Sequence, residues 1–195
     1  MSIELWAARL ERPLTERETA DMLCLLPAGR RERLLRIRQP EKRREPLCAY
    51  LLLRLALREA CGWQDLPEIR LTSLGKPWFP EFPEVHFNLS HTGGAVLAAL
   101  SDRPVGVDIE RIRPVGRRVM GRIPEADSER IFFESWVRRE ARAKCAGTGV
   151  IAMLDREPPL RAGEQFYPLD VFPGYAAGAA SQGGGPPGPI RKYTL

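Results

Sequence analysis

Asp108 and Glu110 stand two residues apart in the run Val105-Gly106-Val107-Asp108-Ile109-Glu110. On an extended strand, residues two apart point to the same face. Two carboxylates held there repel each other unless a cation lies between them. Mg²⁺ suits such a place, since it takes hard oxygen ligands and keeps waters beside one or two carboxylates and phosphate oxygens. The apolar frame around Asp108 argues for an inner strand, where acids need compensation; the plain alternative is two solvent-facing acids on an edge strand. Glu140 and Lys144 are four apart with Trp136 one turn earlier, so all three share one helix face. Read alone they are a surface ion pair worth a few tenths of a kcal/mol, but the tryptophan turns that face inward. His91 follows Ser90 at a strand end and precedes Thr92-Gly93-Gly94. A ring nitrogen and the free N–H groups of such a turn suit a phosphate, as they also suit an ordinary turn carbonyl. Lys76 sits on the tight turn Gly75-Lys76-Pro77, without the glycine spacing of a P-loop. Together these residues form the inventory for binding a polyphosphate through a divalent cation. Neither a serine nucleophile elbow nor a dinucleotide glycine fingerprint is present.

The elements that position these residues follow from periodicity. Residues 3–9 alternate as a strand. Thr15 caps a helix with Ala20, Leu23 and Leu26 on one side, and a second helical pattern runs to Arg36. Apolar three-four spacing predicts the strongest helix over 46–60, with Pro46 in its first turn and Gly62 as its stop. Strands are expected at 68–72, 85–89, 95–101 and 105–110, the last three as antiparallel neighbours joined by short turns. A helix over 126–146 follows, then strands near 165–171 and 175–180. The Gly/Pro-rich stretch 181–189 reads as a mobile loop before a short last segment, 190–195. Helices followed by strands occur in both parts of the chain, which implies an α+β protein of two comparable halves meeting at Asp102-Arg103-Pro104.

The 195 residues suffice for one large domain or two small ones, and 44% hydrophobic against 28% charged residues allows a sizeable core. No apolar run approaches the roughly 20 residues of a membrane-spanning helix, and the N-terminus lacks the pattern of a signal peptide. Cys24, Cys48, Cys61 and Cys145 form no Cys-x-x-Cys pair, so free, mostly buried thiols in a reducing cytosol are expected. The net charge of +5 concentrates its excess in residues 29–58, from Arg30 and Arg33 to Arg54 and Arg58, and favours an anionic partner.

At Gly75-Lys76-Pro77, Phe87-Asn88-Leu89-Ser90-His91-Thr92-Gly93, Gly106-Val107-Asp108-Ile109-Glu110 and Trp136 through Lys144, the chain resembles the 4'-phosphopantetheinyl transferase superfamily, of the type that activates surfactin synthetase. The resemblance extends weakly to Pro173-Gly174-Tyr175. It implies an α+β fold of two similar subdomains, residues 1–103 and 104–195, in a pseudo-twofold arrangement with the active site in the cleft between them. It implies a Mg²⁺-dependent enzyme of the holo-[acyl-carrier-protein] synthase type. Such an enzyme transfers the phosphopantetheine arm of coenzyme A to a serine of an apo acyl or peptidyl carrier protein and releases 3',5'-adenosine bisphosphate. Carried over by position, Asp108, Glu110 and Glu140 would hold the metal, and Glu140 would act as general base. Lys144 would neutralise the leaving phosphate. His91, Ser90, Lys76, Arg30 and Arg33 would contact coenzyme A, joined by Arg44 because Glu45 stands where the family has an arginine. Arg139 replaces the family's lysine, and the stretch between Glu110 and Glu140 is shorter than in many relatives. The expected protein is a cytoplasmic monomer that binds neither membrane nor nucleic acid. The alternatives are a non-catalytic relative binding coenzyme A or carrier protein only, which the intact Asp108, Glu110, Glu140 and Lys144 oppose, and a basic nucleic-acid-binding module on residues 29–58. The latter calls for exposed aromatics, and Tyr50, the aromatic of that stretch, falls on the apolar stripe.

Overall fold

The computed structural model describes residues 2–149 and 157–195; Met1 and residues 150–156, the latter inside the expected second subdomain, lie outside the described residues. The elements run β1 (Glu4–Arg9), α1 (Glu16–Cys24), α2 (Ala28–Leu35), a 3-10 turn Pro40–Arg43, α3 (Arg44–Cys61), β2 (Arg70–Leu71), β3 (Pro77–Trp78), β4 (His86–Thr92), β5 (Ala95–Ser101), β6 (Val105–Arg111), α4 (Arg117–Met120), α5 (Glu129–Ala146), β7 (Glu164–Leu169), β8 (Tyr175–Gln182) and β9 (Ile190–Thr194). Local chemistry sets the helix ends. The Thr15 hydroxyl accepts from the N–H of Glu18, whose carboxylate returns the bond to the Thr15 N–H, a capping box. Ser128 caps α5, and Gly62 and Gly147 end α3 and α5 in the left-handed conformation that glycine adopts without strain.

Two principal sheets result, ordered β4-β5-β1-β9 and β6-β8-β7, with β2 and β3 as a separate hairpin. In β1, Trp6 and Ala8 belong to the core shared with α3, while Leu5 and Ala7 belong to the core shared with β6 and β8. β5 splits in the same way, Val96, Ala98 and Leu100 against Ala95, Leu97 and Ala99. Both faces of the first sheet are therefore covered, and the layers stack as α3, first sheet, second sheet, α5. That is why β5 reads as an unbroken apolar run instead of alternating.

Three expectations change. The turn at 102–104 does not close a hairpin: β5 pairs with β4 and β1, whereas β6 leaves for the other sheet and pairs antiparallel with β8. β6 is accordingly an edge strand, yet Val105 to Ile109 are all buried. The stretch 181–189 begins inside β8, and its Gly188 N–H bonds to the Ile3 carbonyl, delivering β9 to lie parallel to β1. The last strand of the expected second half thus extends the sheet of the first. Of the thiols, Cys48 and Cys145 are buried, Cys61 is partly covered and Cys24 is exposed.

Gly106 fixes how closely α5 lies on β6. A Cβ there would fall 2.1 Å from the Ala141 carbonyl oxygen and 2.3 Å from the Cys145 nitrogen, both backbone atoms that cannot yield without moving the helix. We expect Gly106→Ala to cost about 3 kcal/mol, near the top of the range for overpacking, read as a lowered urea midpoint. A midpoint equal to that of the parent would show that the helix does not need this close approach.

Candidate active site

The β4 residues facing the second sheet are Asn88, Ser90 and Thr92, a polar stripe at period two. They close the seam with the free edge of β6. The Asn88 Oδ1 accepts from the Val107 N–H at 2.8 Å, and the Ser90 Oγ accepts from the Ile109 N–H at 3.3 Å. Side chains thus satisfy edge donors that backbone ladders usually satisfy, and unpaired buried donors would be costly. The Ser90 hydroxyl in turn donates to Asp108 Oδ1 at 2.7 Å, and Thr92 donates to Glu110 Oε2 at 3.0 Å.

Asp108 and Glu110 occupy one side of β6, as their spacing predicted, and Gly106 shares that side, against which α5 packs. Lys144 Nζ reaches Asp108 Oδ1 at 2.6 Å and Ser90 Oγ at 3.2 Å. Asp108 is 4% exposed, and its second oxygen, Oδ2, has no hydrogen-bond partner. Such an orphaned buried acceptor costs about 1–3 kcal/mol. Glu110 is held at Oε2 by Thr92 and by Arg113 at 2.9 Å. Burial, with the negative charges of Asp108 and Glu110, pushes the Glu140 carboxyl above its ordinary range, against the pull of Lys144. Among the described residues, no three His, Cys, Asp or Glu are gathered closely enough to hold a metal ion by themselves. The three expected carboxylates converge electrostatically without forming a closed cluster, and the ammonium of Lys144 supplies positive charge among them.

A pocket of about 340 Å³ opens beside these acids, and Arg30, Arg33, Lys76, His91, Glu140 and Lys144 all line it. α2, α3, the β2–β3 turn, β4 and α5 each contribute to its wall. His91 remains open to solvent, but the protein crowding its other sides, together with Lys144, lowers its affinity for a proton. Arg30 is buried, donating to the Ile69 carbonyl at 2.6 Å and to the Tyr50 hydroxyl at 3.4 Å. Arg33 is exposed on the wall.

Three expected coenzyme A contacts sit differently. Ser90 is buried and committed to Asp108 and the β6 edge. Lys76 reaches the wall, but its ammonium donates to the Cys145 carbonyl at 2.7 Å and the Val105 carbonyl at 3.3 Å. Arg44 lies outside this pocket, donating to the Arg12 carbonyl and pairing with Glu45 at 3.0 Å in a neighbouring depression. Conversely, Asn88, Thr92 and Arg113 carry contacts to which the sequence reading gave no role. The alternating polar residues of β4 were the available signal for the first two. Arg113, bonded to Glu110 and stacked 4.7 Å from the centre of the Phe133 ring, left none.

No protein-family model matches the chain. Curated relatives do. The 4'-phosphopantetheinyl transferase Sfp of Bacillus subtilis strain 168 is 25% identical over 167 residues, covering 78% of this chain and 74% of its own. The 4'-phosphopantetheinyl transferase HetI of Nostoc is 27% identical over 174 residues, covering 80% and 73%. The 4'-phosphopantetheinyl transferase AcpT of Salmonella typhi is 35% identical over 114 residues, covering 51% and 58%. The likeness carried by four short motifs therefore spans most of the sequence, and over that span the chain is similar to several curated 4'-phosphopantetheinyl transferases.

Proposed function

We propose that this protein transfers the 4'-phosphopantetheine arm of coenzyme A to a serine hydroxyl of an apo acyl or peptidyl carrier protein, as a Mg²⁺-dependent enzyme of the holo-[acyl-carrier-protein] synthase type. The observation that carries the reading is Asp108: a buried carboxyl, one oxygen held by Ser90 and Lys144 and the other unpartnered, beside Glu140 and a pocket lined with cations. These residues fit a hard divalent ion. Asp108 Oδ2 lacks a partner, and Glu140 is pressed by two neighbouring negative charges that a cation would relieve. Asp108, Glu110 and Glu140 would hold it, with waters and phosphate oxygens completing the shell. When bound, such an ion neutralises the pyrophosphate and polarises the bond to be broken.

The chain's own groups supply the rest. His91 and Arg33, with Arg30 behind them, offer donors and positive charge to the phosphates of coenzyme A in the pocket. Glu140 takes the proton of the attacking serine. The serine oxygen bonds to the phosphorus carrying the pantetheine, and the bond from that phosphorus to the oxygen of the leaving group breaks. 3',5'-Adenosine bisphosphate departs with the electron pair, its growing charge met by Lys144. Such transfers depend chiefly on positioning and charge neutralisation.

We further propose that residues 1–103 and 104–195 act as two similar subdomains about a pseudo-twofold axis, with coenzyme A in the cleft between them. Each half brings a sheet backed by an 18-residue helix, which supports this arrangement. The basic surface suits the acidic surface of a carrier protein by electrostatic steering, with the protein working as a cytoplasmic monomer. No helix among the described residues is long and apolar enough to cross a membrane.

Incubation with coenzyme A, Mg²⁺ and a panel of apo carriers is expected to add one phosphopantetheine mass to a carrier; no shift across acyl and peptidyl carriers would overturn the reading. Asp108→Asn is expected to cut transfer by about a hundredfold or more, since metal-linked charge stabilisation is worth several kcal/mol. Turnover like that of the parent would remove Asp108 from the metal set. Glu140 also ties stability to pH. Its folded carboxyl binds a proton more tightly than the unfolded one, so stability falls as pH rises above the ordinary glutamate range. In buffer with a chelator, Glu140→Gln should therefore melt higher than the parent at pH 7, and that advantage should vanish near pH 4. A lower melting point at pH 7 would contradict the crowded-acid picture.

A further inference from the structure

We propose that Lys76 is a positioning residue, which fixes the C-terminal end of α5 and so holds Lys144 on Asp108, instead of serving chiefly to grip coenzyme A. The inference rests on the transferase reading for its kinetic consequence but not for its structural one.

The last turn of any helix leaves carbonyls without intrahelical donors. In α5 the Gly147 and Thr148 N–H groups both return to the Ala143 carbonyl, so neither serves Cys145. The Cys145 carbonyl receives the Lys76 ammonium at 2.7 Å, and the same ammonium reaches the Val105 carbonyl at the start of β6, at 3.3 Å. One cation from the β2–β3 turn therefore ties the end of the helix to the strand that carries Asp108. A positive charge at a helix C-terminus also meets the negative end of its dipole. The aliphatic stem of Lys76 runs alongside Gly147, where a Cβ would meet its Cδ at 3.5 Å. Burial lowers the affinity of Lys76 for its proton, as expected for an ammonium that faces carbonyls more than water.

The geometry links this clamp to the reacting centre by one peptide unit. Lys144 directly precedes Cys145, and its ammonium must hold both Asp108 Oδ1 at 2.6 Å and Ser90 Oγ at 3.2 Å. Gly106 lets the helix come this close to β6, but a glycine only removes an obstacle. Among the described residues, the Cys145 Sγ also donates to the Pro104 carbonyl at 3.2 Å, while Lys76 supplies a charged tie between the helix end and the strand start. A displacement of about 1 Å at a group distant from the reacting atoms can cost as much as a hundredfold in rate.

The test compares Lys76→Met, which keeps the stem and removes the charge, with Lys76→Arg, which keeps a donor for the carbonyls. In Lys76→Met, we expect hydrogen exchange at the Gly147 and Thr148 amides to accelerate about tenfold or more while core amides are unchanged. We expect kcat to fall by about tenfold or more with the KM for coenzyme A within about twofold, and Lys76→Arg to restore most of both losses. Unchanged exchange at the helix end overturns the proposal, as does a raised KM with kcat intact, which would make Lys76 a direct substrate contact. Should Lys76→Met not fold, Lys76→Gln, with a neutral donor for Cys145, is expected to show the same two effects in milder form and is judged by the same outcomes. The exchange measurement needs no turnover. A wild-type protein without transfer activity would count against the transferase reading, while exchange would still decide the clamp.

Discussion

The seam between β4 and β6 is closed by side chains, and the candidate site exists because of it. A second backbone ladder at this edge would have joined the two sheets into one and left no side chains between them. Instead Asn88 and Ser90 each accept one edge N–H of β6, which keeps the strands apart while satisfying the donors. Ser90 does so with an oxygen whose proton is then free for Asp108, and Lys144 completes the chain from the other side. Removing any member of such a buried network strands the others, so its parts are coupled more strongly than single bonds would suggest. Structural support of the strand and chemical preparation of the carboxyl are here the work of one hydroxyl.

How much of this could be read from the sequence depended on distance along the chain. The side-by-side placement of Asp108 and Glu110 follows from strand geometry, and the shared face of Glu140 and Lys144 from helix geometry, so both were legible. Long helices declared themselves by periodicity and by their glycine stops. The destination of β6 was not legible, because a three-residue turn after β5 fits a hairpin and a sheet change equally well; only the pairing of Val105 with Ser181 decides it. The crossing of β9 to β1 was likewise hidden in a stretch rich in glycine and proline, where composition says how the backbone bends and nothing about where it goes. The fates of Lys76 and Arg44 were missed for the same reason: their partners, Cys145 and Arg12, are brought near only by the tertiary fold.

The outer side of α5 spends its positive charge internally. Arg142 donates to Glu157, Glu164 and the carbonyls of Pro158 and Pro159, which uses nearly the whole guanidinium fork. Arg139 is 3% exposed and meets Glu125 at 2.8 Å, holding that carboxyl down to about 2. A lysine there would carry the same charge but could not present a planar fork to these acceptors. These pairs pin residues 157–164 and the turn around Glu125 to the helix. The positive charge left over for a partner therefore comes from elsewhere, chiefly α2 and its neighbours, where Arg33, Arg36 and Arg38 face water.

The parallel pairing of β9 with β1 bears on how the chain reaches its final shape. Leu5 faces Ile190 across that ladder, and Trp6 and Tyr193 both bond to Glu59. During synthesis, β1 waits without its outer neighbour until all the elements between it and β9 have been made. Contacts so remote in sequence form slowly, because the intervening chain must be ordered before they reward it. An unpaired flank is also the kind of surface that captures a neighbouring molecule. The outer flank of β1 is thus sheltered late, and crowded nascent chains are exposed to mispairing there.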